Sequence, residues 1–484
     1  MPDLPRTVLS AGGRHVPFGR LDDKACRRLH EASLEILDRT GVRLYHQPAV
    51  DLLKRAGASV SDGNRVRIPP DMVEQALKTA PHRVDLYNRH GERVIVLEGQ
   101  RNYYGTGSDC LYILDHRTGE RRKAVLADVT AGIAVCDALP EIDFVMSMFL
   151  PADIDSAVAD RYQMKVMLET TTKPIVFVTN DAPGCVDAVE MAEAVVGGRE
   201  ALRQRPLVAC YINVATGLRH NEEALEKLLF LAERGLPALY IPVVAAGATG
   251  PVTAAGAAAM VNAGVLTGLV LSQLQREGAP LVVPGWAGST LDMRTTVLPY
   301  CDPDATGAAR SMARFYGLPA FDLCGSDSKV IDPQAAAEAA LTIMHTSLDG
   351  PSLVHDLGYL ESGKTGSLAQ LVICHEIVRW LRRAGRPIEV NDQTLALDLI
   401  DQVGPDGQFL DSDHTLRNFR QRWYPELFDR GDHSRWQTAG AATLIERAAG
   451  RVEEILNTHR PEPLPDDVVV QLDAIVRRAE GKRG

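Results

Sequence analysis

His355, Asp356, Tyr359, Glu361 and Lys364 crowd into one glycine-punctuated loop of the segment SLVHDLGYLESGKTGSLAQLVICHEIV, residues 352–378. An imidazole, two carboxylates, a phenol and an amine so close together can bind ions, move protons or condense with a carbonyl. The apolar run before the loop has strand character, and the spacing after it is helical. The segment therefore reads as a βα unit whose polar groups sit at the strand's C-terminal end, where (β/α)8 barrels keep their chemistry.

Stepping along the chain, the same unit repeats. Strand candidates fall at 103–109, 144–151, 174–179, 206–213, 238–244, 280–286, 319–325 and 352–359, each followed by a helical pattern such as Val129, Ile133, Cys136 and Leu139. Buried-type strands alternating with helices over roughly 250 residues predict a (β/α)8 TIM barrel. A doubly wound sheet explains the alternation too, but its glycine fingerprint is missing: GTGSDC from Gly105 lacks the third glycine. Residues 1–102 form a front extension of helices and hairpins covering one end of the barrel, which occupies 103–384. Its hairpins turn at Asn88–Gly91 and at Gly119. Residues 385–484 read as helices. Asn391 caps one that ends at Gly404 and Pro405, and an amphipathic one runs from about 436 to 458. These helices are expected beside the barrel or against a second subunit, so the chain is expected to be a homo-oligomer.

A closed barrel gathers strand ends at one mouth. Tyr103, Tyr104, Asp109, Phe149, Asn180, Tyr211, Asn213, Trp286, Asp327, His355, Tyr359 and Glu361 fall at or near predicted strand ends. Only 5% of the chain is aromatic, so this many rings beside carboxylates points to a pocket for a soft cation. Tyr103, Tyr104, Trp286 and Tyr359 would supply ring faces, Asp109 and Glu361 charge, and His355 a partner for an anionic end.

Other chemistries have weaker support. Lys329 and Lys364 follow the seventh and eighth strands, where a desolvated lysine can form a Schiff base, but both lie in polar Gly/Ser loops. No G-x-S-x-G elbow occurs for a serine nucleophile. No C-x-x-C or H-x-x-x-H is present, and the neighbours Cys374 and His375 point to different sides of a helix, so no protein-bound metal is expected. A non-catalytic amine-binding protein on the same barrel stays open. The net charge of −11 with no basic run argues against nucleic acid and anionic membranes as partners. Eight dispersed cysteines and no visible targeting segment suggest a reduced, cytoplasmic setting. The apolar stretch 251–274 is interrupted by Asn262, Thr267 and Gln273 and reads as a packed barrel helix.

Six segments together carry a family resemblance: HEASLEILDRTGV from His30, TGERR from Thr118, TTKPIVF from Thr171, GSDSKVIDPQA from Gly325, HDLGYLESG from His355 and HTLRNFRQRWYPELFDR from His414. The chain resembles the trimethylamine methyltransferase superfamily, in its branch without pyrrolysine that includes glycine betaine:corrinoid methyltransferases. The resemblance implies a barrel that passes a methyl group from a methylated amine to Co(I) of a separate corrinoid protein. Family members acting on trimethylamine carry pyrrolysine in the pocket, whereas this chain has standard residues throughout. A quaternary amine such as glycine betaine is therefore the expected methyl donor. Cobalamin is expected on the partner, because corrinoid proteins of this type carry a D-x-H-x-x-G histidine. None of the thirteen histidines here has an aspartate two residues before it.

Overall fold

Short apolar segments bounded by glycine and proline pair side by side into a curved parallel sheet. The computed structural model describes residues 9–11, 14–16, 20–99, 101–288, 290–304, 307–348 and 352–481. Seven strands run in the spatial order Ile175–Phe177, Val208–Val214, Ala238–Pro242, Leu281–Pro284, Ala320–Leu323, Ser352–His355 and Asn102–Tyr104. Every neighbouring pair is parallel. The segment 144–149 closes the ring, since Phe144 bridges Gly105 on one side and Val145 bridges Ile175 on the other. The molecule is the (β/α)8 barrel that the alternation predicts.

Strand alternation divides the core in two. Ala209, Leu239, Val282, Phe321 and Leu353 face inward, while Ala238, Val283, Ala320 and Val354 face the surrounding helices. At the N-terminal end of the barrel the hairpin of Val84–Tyr87 and Arg93–Leu97 acts as a plug. Val84, Leu86, Ile95 and Leu97 are buried among the inward side chains, and Tyr87 and Arg89 donate backbone N–H groups to the carbonyls of Pro206 and Thr172 just before two strands. Each such side chain contributes on the order of 1.5–3 kcal/mol by leaving water. The barrel is thus closed below and open above.

The apolar helix Ala254–Gln275 is long enough to cross a membrane, but 78% of its apolar window is buried inside the fold against the helices at Asp23–Glu35 and Pro70–Thr79. It is a core helix. Asp22 caps the first of these neighbours by accepting the N–H of Ala25, and Gly41, at φ +70°, ends the π-helical turn Ile36–Thr40 that continues it.

Two C-terminal helices wrap the outside of the barrel: Leu444–Thr458 packs on Leu368–Ala384, and Asp466–Gly481 on Ala182–Val196. The predicted helix from 436 is in fact two. His433–Thr438 stops where Gly440 and Ala441 take left-handed backbone, and Thr443 with Glu446 forms a capping box that starts Leu444–Thr458. The helix predicted from Asn391 to Gly404 is likewise broken by Ala396 at φ +53°, giving Asp392–Leu395 and Leu397–Val403. Neither piece buries a residue, nor does Asp413–Asn418 after them.

Candidate functional site

The C-terminal mouth gathers rings around a pair of carboxyl groups. His355, the last residue of its strand, stacks on Phe321 of the neighbouring strand, with centroids 3.9 Å apart and planes 15° from parallel. Trp286, two residues past the sixth strand, lies 5.8 Å from the His355 ring, and Tyr211 lies 6.1 Å from it. These rings occupy the upper layer of the same inward-facing stripe that the plug fills from below. Tyr211 donates its hydroxyl to Asn213 at 2.8 Å, and Trp286 stays half-exposed toward the mouth.

Backbone geometry fixes the tautomer of His355. Its Nδ1 is 2.6 Å from the carbonyl of Asp322, so Nδ1 carries the hydrogen and Nε2 is a lone pair, 3.5 Å from the carboxyl of Asp356. Burial lowers its pKa to about 3, so the ring is neutral. An imidazole in this state orients its neighbour and offers no positive charge.

Asp356 begins a tightly wound loop. It adopts φ +73°, and Gly358, Glu361, Ser362 and Gly363 are also left-handed, so three non-glycine residues hold a costly conformation in one short stretch. The winding turns the Asp356 carboxyl inward and drives the Tyr359 ring, fully buried, back into the protein. Tyr359 donates its hydroxyl to the carbonyl of Met148 at 3.0 Å and accepts the N–H of Asp109 at 3.0 Å. Gly107 makes this convergence possible. A Cβ there would overlap both the Asp356 carboxylate and the Tyr359 phenol.

Both carboxyl groups are held up in pKa. Burial pushes Asp356 well above the usual carboxylate range, and the nearby Asp109 charge adds to it while the Tyr300 hydroxyl, hydrogen-bonded to Asp356, opposes. Asp109 is raised mainly by burial, yet its surface is open to solvent. That combination describes a group on the wall of a recessed pocket. Tyr300 comes from the long loop after the sixth strand. Asp327 fixes it by accepting the N–H groups of Tyr300 at 2.8 Å and Cys301 at 3.0 Å, together with the Ser362 hydroxyl at 2.7 Å.

Not every expected residue joins this group. Tyr103 faces inward, but at the depth of the plug: its hydroxyl accepts the Val96 N–H at 3.0 Å. Tyr104 faces outward, bonded to Ser347 at 2.6 Å with Arg382 5.1 Å over its ring. Both lie too early in their strand to reach the mouth. Glu361 is engaged elsewhere. Burial works to raise its pKa, but the Thr365 hydroxyl and the two-point pair with Arg121, at 2.8 and 3.1 Å, outweigh it and leave a lowered value. This pair ties the loop to the hairpin of Tyr112–Leu114 and Arg121–Lys123. Asp109, Trp286 and His355 are brought together; Tyr359 joins them only through its hydroxyl, because its ring is fully buried and presents no face to a cation.

Asp356, Tyr300 and Phe321 also shape the site. Asp356 adjoins His355 and carried a signal. Tyr300 lies in an aperiodic loop and Phe321 in an ordinary strand, and neither had one.

Lys329 and Lys364 are exposed, Lys329 donating to the Asp327 carbonyl at 2.7 Å. Neither is desolvated as a Schiff-base lysine requires. Two groups of side chains have the donor set and closeness for a cation: Cys301, Asp327 and Glu338, and His46, Glu222 and Glu226. In the first, however, Asp327 is committed to the three hydrogen bonds above. Glu338 accepts from Ser326 at 2.7 Å and from the Asp327 N–H at 2.8 Å, so the carboxylates organise loops.

The comparisons agree along the length of the chain. The family model described as Trimethylamine methyltransferase (MTTB) matches residues 10–483. A trimethylamine methyltransferase of Desulfitobacterium hafniense is 33% identical over 99% of this chain and 98% of its own length. A glycine betaine methyltransferase of the same species is 30% identical over 95% and 96%. The crystal structure of a Methanosarcina barkeri monomethylamine methyltransferase aligns over 96% of this chain and 88% of that one, with 11% identity and a TM-score of 0.48.

Proposed function

Because the chain belongs to the trimethylamine methyltransferase family and is a methyltransferase, we propose that it moves a methyl group from a quaternary amine, glycine betaine or another compound with its trimethylammonium head, to Co(I) of a separate corrinoid protein. The observation that carries this reading is the pair of rings Trp286 and Tyr211, backed by the stacked His355 and buried Phe321, beside the Asp109 and Asp356 carboxyls at the open end of the barrel. Each ring face that meets a desolvated cation contributes about 0.5–2 kcal/mol.

The chemistry asks little of acid or base groups. When a nucleophile takes a methyl from a quaternary nitrogen, the C–N bonding pair returns to nitrogen and a neutral tertiary amine leaves without needing a proton. The protein's part is to hold the head, exclude water and point one methyl out of the mouth. Corrinoid in its reduced state supplies the nucleophile when the partner docks. His355 does not suit axial ligation of that group, because its ring is stacked, recessed and directed at Asp356. This supports assigning the cofactor to the partner, and the eight free cysteines support a reducing, cytoplasmic setting.

The proposal extends to assembly. Ile388 and Leu410 are 89% and 80% exposed on a segment whose short helices have no buried residue, and isolated helices of that length are unstable in water. Such a surface needs a permanent cover, and a second copy of this chain is present wherever the first is made.

The test supplies reduced corrinoid protein and follows methyl–Co(III) absorbance with glycine betaine, proline betaine, carnitine, dimethylglycine and trimethylamine. Turnover of quaternary donors is expected. Turnover confined to the tertiary amines refutes the reading.

A further inference from the structure

The charge around the pocket narrows the substrate further, within the quaternary-amine reading on which this rests. Asp109 and Asp356 converge on one spot: Asp109 Oδ1 is 3.5 Å from the Tyr359 hydroxyl, and Asp356 abuts the same phenol across the space that a side chain at Gly107 would fill. Among the described residues, neither carboxyl forms an ion pair with an arginine or a lysine; the sole basic neighbour of Asp356 is His355. The cations around the mouth are directed elsewhere. Arg121 pairs with Glu361, the exposed Lys364 also acts on the Glu361 carboxylate, Lys329 bonds the Asp327 carbonyl, and Arg310 pairs with Asp322 on the outer face of the barrel wall.

His355 does not supply the missing charge, because its Nδ1–H is committed to a carbonyl and its Nε2 presents a lone pair. The remaining polar groups facing the pair are neutral hydroxyls, those of Tyr211, Tyr300 and Tyr359. Burial holds both carboxyls toward the neutral form when no ligand is bound, so an incoming cation is the partner that favours their ionisation, and a wall otherwise made of rings offers nothing for an anion. The carboxylate of glycine betaine is one carbon from the nitrogen. A head seated against the rings would bring that carboxylate toward Asp109 and Asp356 with no guanidinium or ammonium to receive it.

We infer that the Asp109–Asp356 pair makes this enzyme selective for net cations, so that a trimethylammonium compound without a nearby carboxylate binds in preference to a zwitterionic betaine. The betaine relative is a distinct protein at 30% identity, and the same barrel can read a different charge.

The test is isothermal titration of the full-length protein at pH 7.5 with tetramethylammonium, choline, glycine betaine and trimethylamine hydrochloride. The two permanent cations should bind at least tenfold more tightly than glycine betaine. Asp109→Asn and Asp356→Asn should each weaken cation binding tenfold or more and narrow the gap to betaine, and asparagine suits the left-handed backbone at 356. Circular dichroism of both variants checks the fold, and Asp109→Asn carries the test if the other misfolds. Glycine betaine binding as tightly as choline, or a gap unchanged in the variants, overturns the charge inference and leaves the quaternary reading standing. Absence of binding by every quaternary compound overturns that reading itself.

Discussion

At the scale of single residues, the site depends on a glycine and on a buried acid whose ionisation burial opposes and a bound cation favours. Gly107→Ala should displace the Asp356 carboxyl and the Tyr359 ring together, costing about 1–3 kcal/mol in denaturant unfolding and abolishing measurable ligand binding. Asp356 makes a pH prediction whose sign follows from its raised pKa. The native state holds this proton more tightly than the unfolded chain, so the stabilisation is complete below the ordinary value of 3.8 and is lost as pH climbs through the folded value. Asp109, raised in the same direction, shares the window, with Tyr300, Tyr359 and the neutral His355 facing the pair. Asp356→Asn should thus be nearly neutral at pH 4 and increasingly stabilising as pH rises toward the folded value, by up to about 1.4 kcal/mol per pH unit inside that window. Urea melts at several pH values measure it, and a flat difference would contradict the assignment. Residue types alone marked His355, Trp286 and Asp109 as a group. They could not exclude Tyr103 and Tyr104, because depth along the strand decides whether a ring reaches the mouth and facing whether it points inward, and residue type reports neither.

Among the elements, the hairpin plug and the wound loop have opposite duties. Leu86→Ala or Ile95→Ala removes a fully buried side chain from the barrel floor, and should cost ~2–5 kcal/mol of stability while ligand affinity stays within about twofold. Calorimetric melting alongside titration separates the two effects. A large loss of affinity at unchanged stability would show that the floor shapes the pocket. Seven of the eight strands and the two hairpins were legible because short apolar runs and glycine turns are local signals, while 144–151 joins the ring only through isolated bridges. The loop at 356–363 was legible as a loop and not as a scaffold, since its shape comes from three strained non-glycine residues held by tertiary contacts. The long helices predicted near 391 and 436 failed for a related reason: Ala396 and Ala441 take left-handed backbone, which alanine's helix propensity argues against.

For the whole molecule, the exposed apolar segment sets the assembly prediction. Light scattering should find more than one chain per particle, and Leu410→Glu with Leu416→Glu should release a smaller species whose circular dichroism still reports the barrel. A monodisperse wild-type monomer would remove the proposed cover. The barrel's one-ended shape also has a consequence in time. With the hairpin filling the floor, traffic passes through the mouth at which the proposed corrinoid partner would dock. Under that proposal the amine has to be seated before the partner arrives, and the demethylated amine would be trapped until the partner departs. Steady-state kinetics should accordingly be ordered, with excess partner slowing turnover by occupying the mouth of an amine-free enzyme. Because the demethylated amine leaves after the methylated partner, it should compete with the methyl donor for the same free form of the enzyme. Random-order initial rates would show that the amine has a second way in.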